Sequence, residues 1–251
     1  TLQEINISGL LVGPEQYPDV YQMGCDCARI LGIGIPNIYI INDQTLNALT
    51  ICTDDIEPLI IIHSGLYERM TPGELRCVIG HECGHIQNQH GIYDILRQIL
   101  VAAGTSAAGL LSVQLMNLMT QGVQFLLNAW DRAAEVTCDR AGMICSERVE
   151  DAYSVNAKLL YGAAIGDKET VNLEALKKQL EMQMGTLVRL EELFTDHPAA
   201  VRRIMAEMEF ARCEVFYRWR PELKEAGQSV CTKEETDERC RRYVDVIRKG
   251  K

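Results

Sequence analysis

The stretch TPGELRCVIGHECGHIQNQH, Thr71 to His90, reads as one helix whose start is written in its first residues. Thr71 has the side chain of an N-cap, Pro72 suits the first helical position, where no N–H is needed, and Glu74 can close a capping box onto Thr71. Helical geometry then decides which polar groups meet. Successive residues turn by roughly 100°, so His81 and His85 lie within about 40° of each other, one turn apart. Two imidazoles can therefore reach one ion. Glu82 is turned about 100° from His81, too far round for an easy ligand but able to approach a water on that ion. This is the general-base position of an HExxH helix. His90 falls roughly 180° from His81 on the same count. It is read as a cap or surface residue, and as a ligand only if the helix has ended before it.

Working outward, PEQYPDVYQMGCDCARILGI puts Val20, Met23, Cys27, Ile30 and Leu31 at helical spacing and stops at Gly32 and Gly34. The period then changes. NIYIIND, LNALTIC and PLIIIHS are short, rich in Ile and separated by Asp, Asn, Gly and Pro, which predicts three strands of a small antiparallel sheet. PLIIIHS is the most apolar, either the edge beside the histidine helix or a central strand, with LNALTIC as the other candidate edge. Downstream of Trp130 the spacing predicts helices over Asp131–Ile144, Ala152–Ala163, Leu173–Phe194, after Pro198, and over Glu234–Arg248. This last helix is read as a solvated face or an oligomer contact. The fold class expected is α+β, mainly helical, with the sheet packed on the histidine helix. Residues 1–204 form one domain and 205–251 a helical extension packed on it.

Composition narrows the partners. A chain of 251 residues with 47% hydrophobic side chains can bury a large core. The formal net charge of -10, with no basic patch, argues against nucleic acid. Ten cysteines without a CxxC pair read as reduced, mostly buried thiols in a cytoplasm, Cys25 and Cys27 lying on successive faces of a helix. Between Arg97 and Asp131 there is no charged residue, long enough on paper to span a bilayer. Gln114, Asn117, Gln121, Gln124 and Asn128 nevertheless line one helical face, which favours a soluble or peripheral chain. Membrane contact through 99–130 stays open. Thr1 in place of an initiator Met leaves localisation open to a trimmed signal, anchor or membrane helix. Oligomeric state is not legible.

An HExxH string arises by chance in roughly one chain of this size in a hundred, so a second signal is needed. A catalytic zinc usually takes three protein ligands and keeps a fourth position for water. DRAAEVTCDRAG offers Glu135 with Asp139 one helical turn on. Glu135 can bind the ion while Asp139 holds the outer nitrogen of a ligand histidine, most simply His81. Asp131 and Cys138 compete for the third ligand. The alternative is an exposed acidic face balanced by Arg132 and Arg140.

HECGH after a capped helix start, AAEVTCDRAG further on and DHPAAVRRI beyond that resemble the three motifs of the M48 family of metallopeptidases over about Ile38–Ile204. That family includes a bacterial heat-shock protease of the inner membrane and a CaaX-type protease. The resemblance implies a zincin-like catalytic domain with one catalytic Zn2+ on His81, His85 and Glu135, and Glu82 as the base. It also implies Asp139 behind the ligands, His197 facing the reacting carbonyl, and Arg203 supporting the site, although Arg202 has similar reach. Cys83 and Cys138 stand where many relatives carry small or apolar residues and read as packing substitutions. The function implied is a zinc-dependent endopeptidase acting on extended or unfolded polypeptide. Two other classes stay open: a non-catalytic zinc-dependent scaffold, and a zinc hydrolase of a non-protein amide.

Overall fold

The computed structural model describes residues 9–53, 56–91, 113–162, 172, 174–175, 178–179 and 200–245, with only the backbone of 53, 56 and 113–126. The chain opens with a short strand β1 (Leu10–Leu11) and a helix α1 (Pro18–Leu31), then β2 (Asn37–Ile41), β3 (Ala48–Thr53) and β4 (Ile56–His63). A short α2 (Ser64–Arg69) leads into α3 (Pro72–Gln87), the histidine helix. After it come α4 (Val113–Cys145), α5 (Val149–Tyr161), α6 (Ala200–Phe210), α7 (Glu214–Trp219), a 3-10 turn (Pro221–Leu223) and α8 (Lys233–Val244).

Local signals set the helix ends. Thr71 caps α3 through the Glu74 amide while the Glu74 side chain accepts from the Thr71 amide, and Pro72 opens the helix. This capping box satisfies two backbone donors that a helix start leaves orphaned. Gly32 ends α1 with φ 70, a left-handed conformation that glycine adopts without steric penalty. The expected helix over 173–194 lies outside the described residues except for Glu174, Ala175, Lys178 and Gln179. So does the last part of the helix expected to reach Arg248. The described part, α8, is not simply a solvated face: it buries Thr236, Cys240 and Val244.

The sheet corrects one expectation. It has four strands in the order β1-β2-β4-β3, and it is mixed rather than antiparallel. β2 pairs parallel with β4, Asn37 opposite Leu59 through Ile41 opposite His63, whereas β3–β4 and β1–β2 are antiparallel. The reason is β4 itself. Leu59, Ile60, Ile61 and Ile62 are all buried, so both faces of this strand are covered and it takes an interior position. β4 therefore lies between β2 and β3, and among the described residues β3 forms one edge of the sheet and β1 the other.

Helix α3 packs against α1, α4, α5 and the β3 edge. Ile79 and Cys83 of α3 share a core with Cys27, Ile60, Ile62, Met143, Phe210 and Phe216. All ten cysteines carry free thiols, Cys27 buried and Cys25 half-buried. Of the five amides spaced along 114–128, the first four have side chains outside the described residues, and Asn128 is buried. Among the described residues no helix is long and apolar enough to cross a membrane.

Candidate metal centre

A cavity of about 450 Å³ lies between α3, α4, the β3 edge, α5 and α6. His81, Glu82 and His85 enter it from α3, Glu135 and Asp139 from α4, and Arg203 and Glu207 from α6. Asn47, Ala48, Leu49 and Thr50 form one rim, the start of the edge strand and the residue before it.

The two histidines point the same ring nitrogen at each other. His81 Nε2 and His85 Nε2 are 3.2 Å apart. Glu135 bridges them, Oε2 at 3.6 Å from His81 Nε2 and Oε1 at 3.5 Å from His85 Nε2. Two nitrogens and a carboxylate thus face one another at the centre of the cavity. Asp131, weighed as the other acidic ligand, lines the same cavity. Cys138 Sγ belongs to the same group of donors, within 4.8 Å of nitrogens on both histidines.

Behind these donors is a layer of hydrogen bonds. His81 Nδ1 donates to Asp139 Oδ1 at 3.0 Å. Asp139 is also gripped by Arg203, whose Nε lies 2.8 Å from Oδ2 and Nη2 2.5 Å from Oδ1. Arg203 Nη1 reaches Glu135 Oε2 at 3.3 Å. Glu135 and Asp139 are only 6% and 4% exposed, which removes the reading of an exposed acidic face. Arg140 is engaged elsewhere, with Asp237. Of the two neighbouring arginines, Arg203 lines the cavity, whereas Arg202 donates to the Tyr243 carbonyl.

Burial dominates the electrostatics. It pushes the Glu82 carboxyl above the usual range, against the pull of His81 and of a hydrogen bond from Thr50. Burial and the neighbouring His81 charge hold His85 down to about 3, so its imidazole is neutral with a lone pair to give. For His81 burial opposes the proton, but the Asp139 hydrogen bond and the Glu135 charge outweigh it and raise the pKa. Asp139 stays lowered because Arg203 and His81 overcome its burial.

The model of Peptidase family M48 matches residues 14–209. The chain belongs to the M48 family of peptidases. It is 31% identical over 179 residues to a plastoglobule-localized metallopeptidase 48, chloroplastic, of Arabidopsis thaliana, covering 71% of this chain and 50% of that one. It is 36% identical over 101 residues to a protease HtpX homolog of Streptococcus pneumoniae, strain Taiwan19F-14, covering 40% of this chain and 32% of the relative. A protease HtpX homolog of Pediococcus pentosaceus matches at 31% over 100 residues, 40% of this chain and 32% of the other. The chain thus spans half or less of the length of these curated relatives.

Within this M48 chain, the structure brings His81, Glu82, His85, Glu135, Asp139 and Arg203 to one cavity. His197 lies outside the described residues. Of the reading of His90 as a cap or surface residue, the cap half fits, since its amide donates to the His85 carbonyl at 3.1 Å at the end of α3, and the surface half is corrected. Helix α3 ends at Gln87, Gln89 adopts φ 53, and the half-buried His90 ring returns to the cavity wall beside Trp130. The rotation count fails there because it extends a helix that has already stopped. Three contributors were not anticipated. Thr50 Oγ1 donates to Glu82 Oε2 at 2.6 Å, and Asn156 Nδ2 donates to Glu207 Oε1 at 2.8 Å in the depth of the cavity. No local spacing announces these contacts, since each joins elements far apart in sequence.

Proposed function

We propose that this chain is a zinc-dependent endopeptidase with a zincin-like arrangement, in which His81, His85 and Glu135 hold one zinc ion and Glu82 is the general base. The observation that carries this reading is the grouping of the donors, His81 Nε2 and His85 Nε2 3.2 Å apart with one Glu135 oxygen 3.6 Å from the first and the other 3.5 Å from the second. A tetrahedral ion with bonds of 2.0–2.2 Å sets its donors about 3.3–3.6 Å apart. Imidazole nitrogens and a carboxylate are also the donor types zinc takes in catalytic sites. Cys138 is the weaker claimant, because its Sγ lies 3.5 Å from His90 Nδ1, a nitrogen on the Nδ1 side of His85 and away from the paired Nε2 atoms.

Bound there, zinc supplies a Lewis acid for a scissile carbonyl and lowers the pKa of a water to near neutrality. Glu82 takes the proton of the attacking water and returns it to the leaving amine. Thr50 holds the Glu82 carboxylate by one oxygen and leaves the other for that task. Arg203 acts through Asp139 and Glu135, offsetting two buried carboxylates that would otherwise repel each other. His197 is assigned the donor to the oxyanion of the tetrahedral intermediate. An extended peptide is assigned to the β3 edge, where a strand can be added through backbone pairing without reading sequence. Residues 1–204 are taken as the catalytic unit and 205–251 as its packed extension, supported by Phe210, Cys213 and Phe216 entering the same core as Ile79.

The test combines metal analysis with cleavage of an unfolded protein. Wild type is expected to carry one zinc per chain, and Glu82→Gln to keep that zinc while losing about 10²–10⁴-fold in rate. Glu135→Ala is expected to lose the metal. Equal activity of wild type and Glu82→Gln, or a preparation that never holds zinc, overturns the reading.

A further inference from the structure

We propose that His90 is a positioning residue for the metal centre: its Nδ1 accepts the outer N–H of His85 and fixes that ligand's tautomer and ring orientation. The inference rests on the zinc reading above. Its starting point is a symmetry in the contacts. His81 and His85 turn Nε2 toward each other and toward Glu135, so both turn Nδ1 outward. His81 Nδ1 meets Asp139 at 3.0 Å, and His85 Nδ1 meets His90 Nδ1 at 3.1 Å.

A neutral imidazole carries one proton. A ring that gives its Nε2 lone pair to a metal therefore holds its proton on Nδ1 and needs an acceptor there. Asp139 is that acceptor for His81. For His85 the atom within reach is His90 Nδ1, which accepts if the His90 proton sits on Nε2. His90 itself cannot be a ligand to the same ion, because it faces the opposite edge of the His85 ring from the Nε2 atoms. Cys138 Sγ lies 3.5 Å from the same His90 nitrogen, a weaker and longer contact than the one His85 makes.

The local backbone is built to deliver this ring. Asn88 Nδ2 donates to the Gly84 carbonyl at 2.8 Å and closes the end of α3. Gln89 then turns with φ 53, and the His90 amide donates to the His85 carbonyl at 3.1 Å. The His90 ring is held edge-on between His85 and Trp130, with centroid separations of 5.1 and 4.9 Å. A residue five places after a ligand does not face it on a continuous helix. Here the left-handed turn brings it round.

The experiment is zinc affinity, measured by competition with a chelator, for wild type, His90→Phe and His90→Asn. Phe keeps a ring against Trp130 but offers no acceptor, whereas the Asn oxygen stands close to where Nδ1 was. His90→Phe is expected to bind zinc about 10–100-fold more weakly, with His90→Asn recovering most of the loss. Asn no better than Phe, or Phe equal to wild type, overturns the proposal. Nitrogen NMR of zinc-loaded wild type gives a readout independent of any variant: His85 protonated at Nδ1 and His90 at Nε2. A proton on His90 Nδ1 overturns the proposal too. The zinc reading fails separately, if wild type binds no zinc or Glu135→Ala binds it as wild type does, and the role of His90 then falls with it.

Discussion

Thr50 shows how a residue with no chemistry of its own can decide the working form of another. Its hydroxyl proton is shared between Glu82 Oε2 at 2.6 Å and the Glu82 carbonyl at 3.1 Å. Glu82 is buried, and burial raises its pKa and so works against the ionised form that acts as a base. A hydrogen bond to the ionised form opposes that. Thr50→Val removes the hydroxyl at nearly constant shape. A hydrogen bond to a charged group contributes about 1.5–3 kcal/mol, so kcat/KM against an unfolded protein is expected to fall about 10-fold or more. Zinc content is expected to stay at the wild-type level, since Thr50 touches no proposed ligand. Parallel loss of zinc and activity, or no change in kcat/KM, would show that the contact does not tune the base. In the sequence Thr50 is one polar residue of LNALTIC, and only the fold sets it over Glu82. His81, Glu82 and His85, by contrast, were legible as a group because helix periodicity alone puts them together.

At the scale of elements, the centre depends on how closely α3 and α4 approach. A Cβ added to Gly80 would lie 2.6 Å from Cys145 Cβ, one on Gly84 2.9 Å from Ala141 Cβ, and one on Gly142 2.9 Å from the Cys77 carbonyl oxygen. None of these glycines has a left-handed backbone, so their use is the room they leave. That closeness sets Glu135 and Asp139 against His81 and His85. Two effects compete in Gly80→Ala. Helix propensity favours alanine by about 1 kcal/mol, and overpacking a tight interface costs about 1–3 kcal/mol. The clash meets a Cβ rather than a flexible side-chain end, so overpacking should win. Urea unfolding of the metal-free protein is expected to show a net loss of stability near 1 kcal/mol, together with weaker zinc binding. A gain in stability would mean that the helices can part at no cost. Helix ends such as Thr71 and Gly32 were legible because caps are local. The mixed sheet was not, because the β2–β4 pairing joins strands across an intervening β3, and the choice of β4 as centre comes from burial on both faces.

For the whole molecule, the cavity concentrates acids in a chain that is already acidic, with a net charge of -10. Glu82, Glu135, Asp139 and Glu207 line it together with Arg203. Glu207 is fully buried, and Asn156 Nδ2 donates to its Oε1 at 2.8 Å. Glu207 Oε2 and Asn156 Oδ1 have no hydrogen-bond partner among the described residues. One proton on Oε2 turns an acceptor into a donor, the kind of group that the Asn156 amide oxygen of the same pair lacks. The electrostatics agree: burial pushes Glu207 well up, the Asp139 charge adds to this, and Arg203 and Asn156 only partly oppose it. The sign follows from linkage. The folded pKa lies above the unfolded one, near 4.3 for a free glutamate, so this stability is complete below about pH 4 and declines as pH rises through the folded value. Glu207→Gln reproduces the protonated pair, since its amide donates where the acid proton did, and it cannot ionise. Chemical unfolding of the metal-free proteins at pH 5 and pH 8 is expected to show the variant gaining on wild type at the higher pH. The gain is on the order of 1–3 kcal/mol, the cost of leaving a buried polar pair unsatisfied. If Glu207→Gln is destabilised equally at both pH values, Glu207 is ionised in the fold and pairs with Arg203 instead.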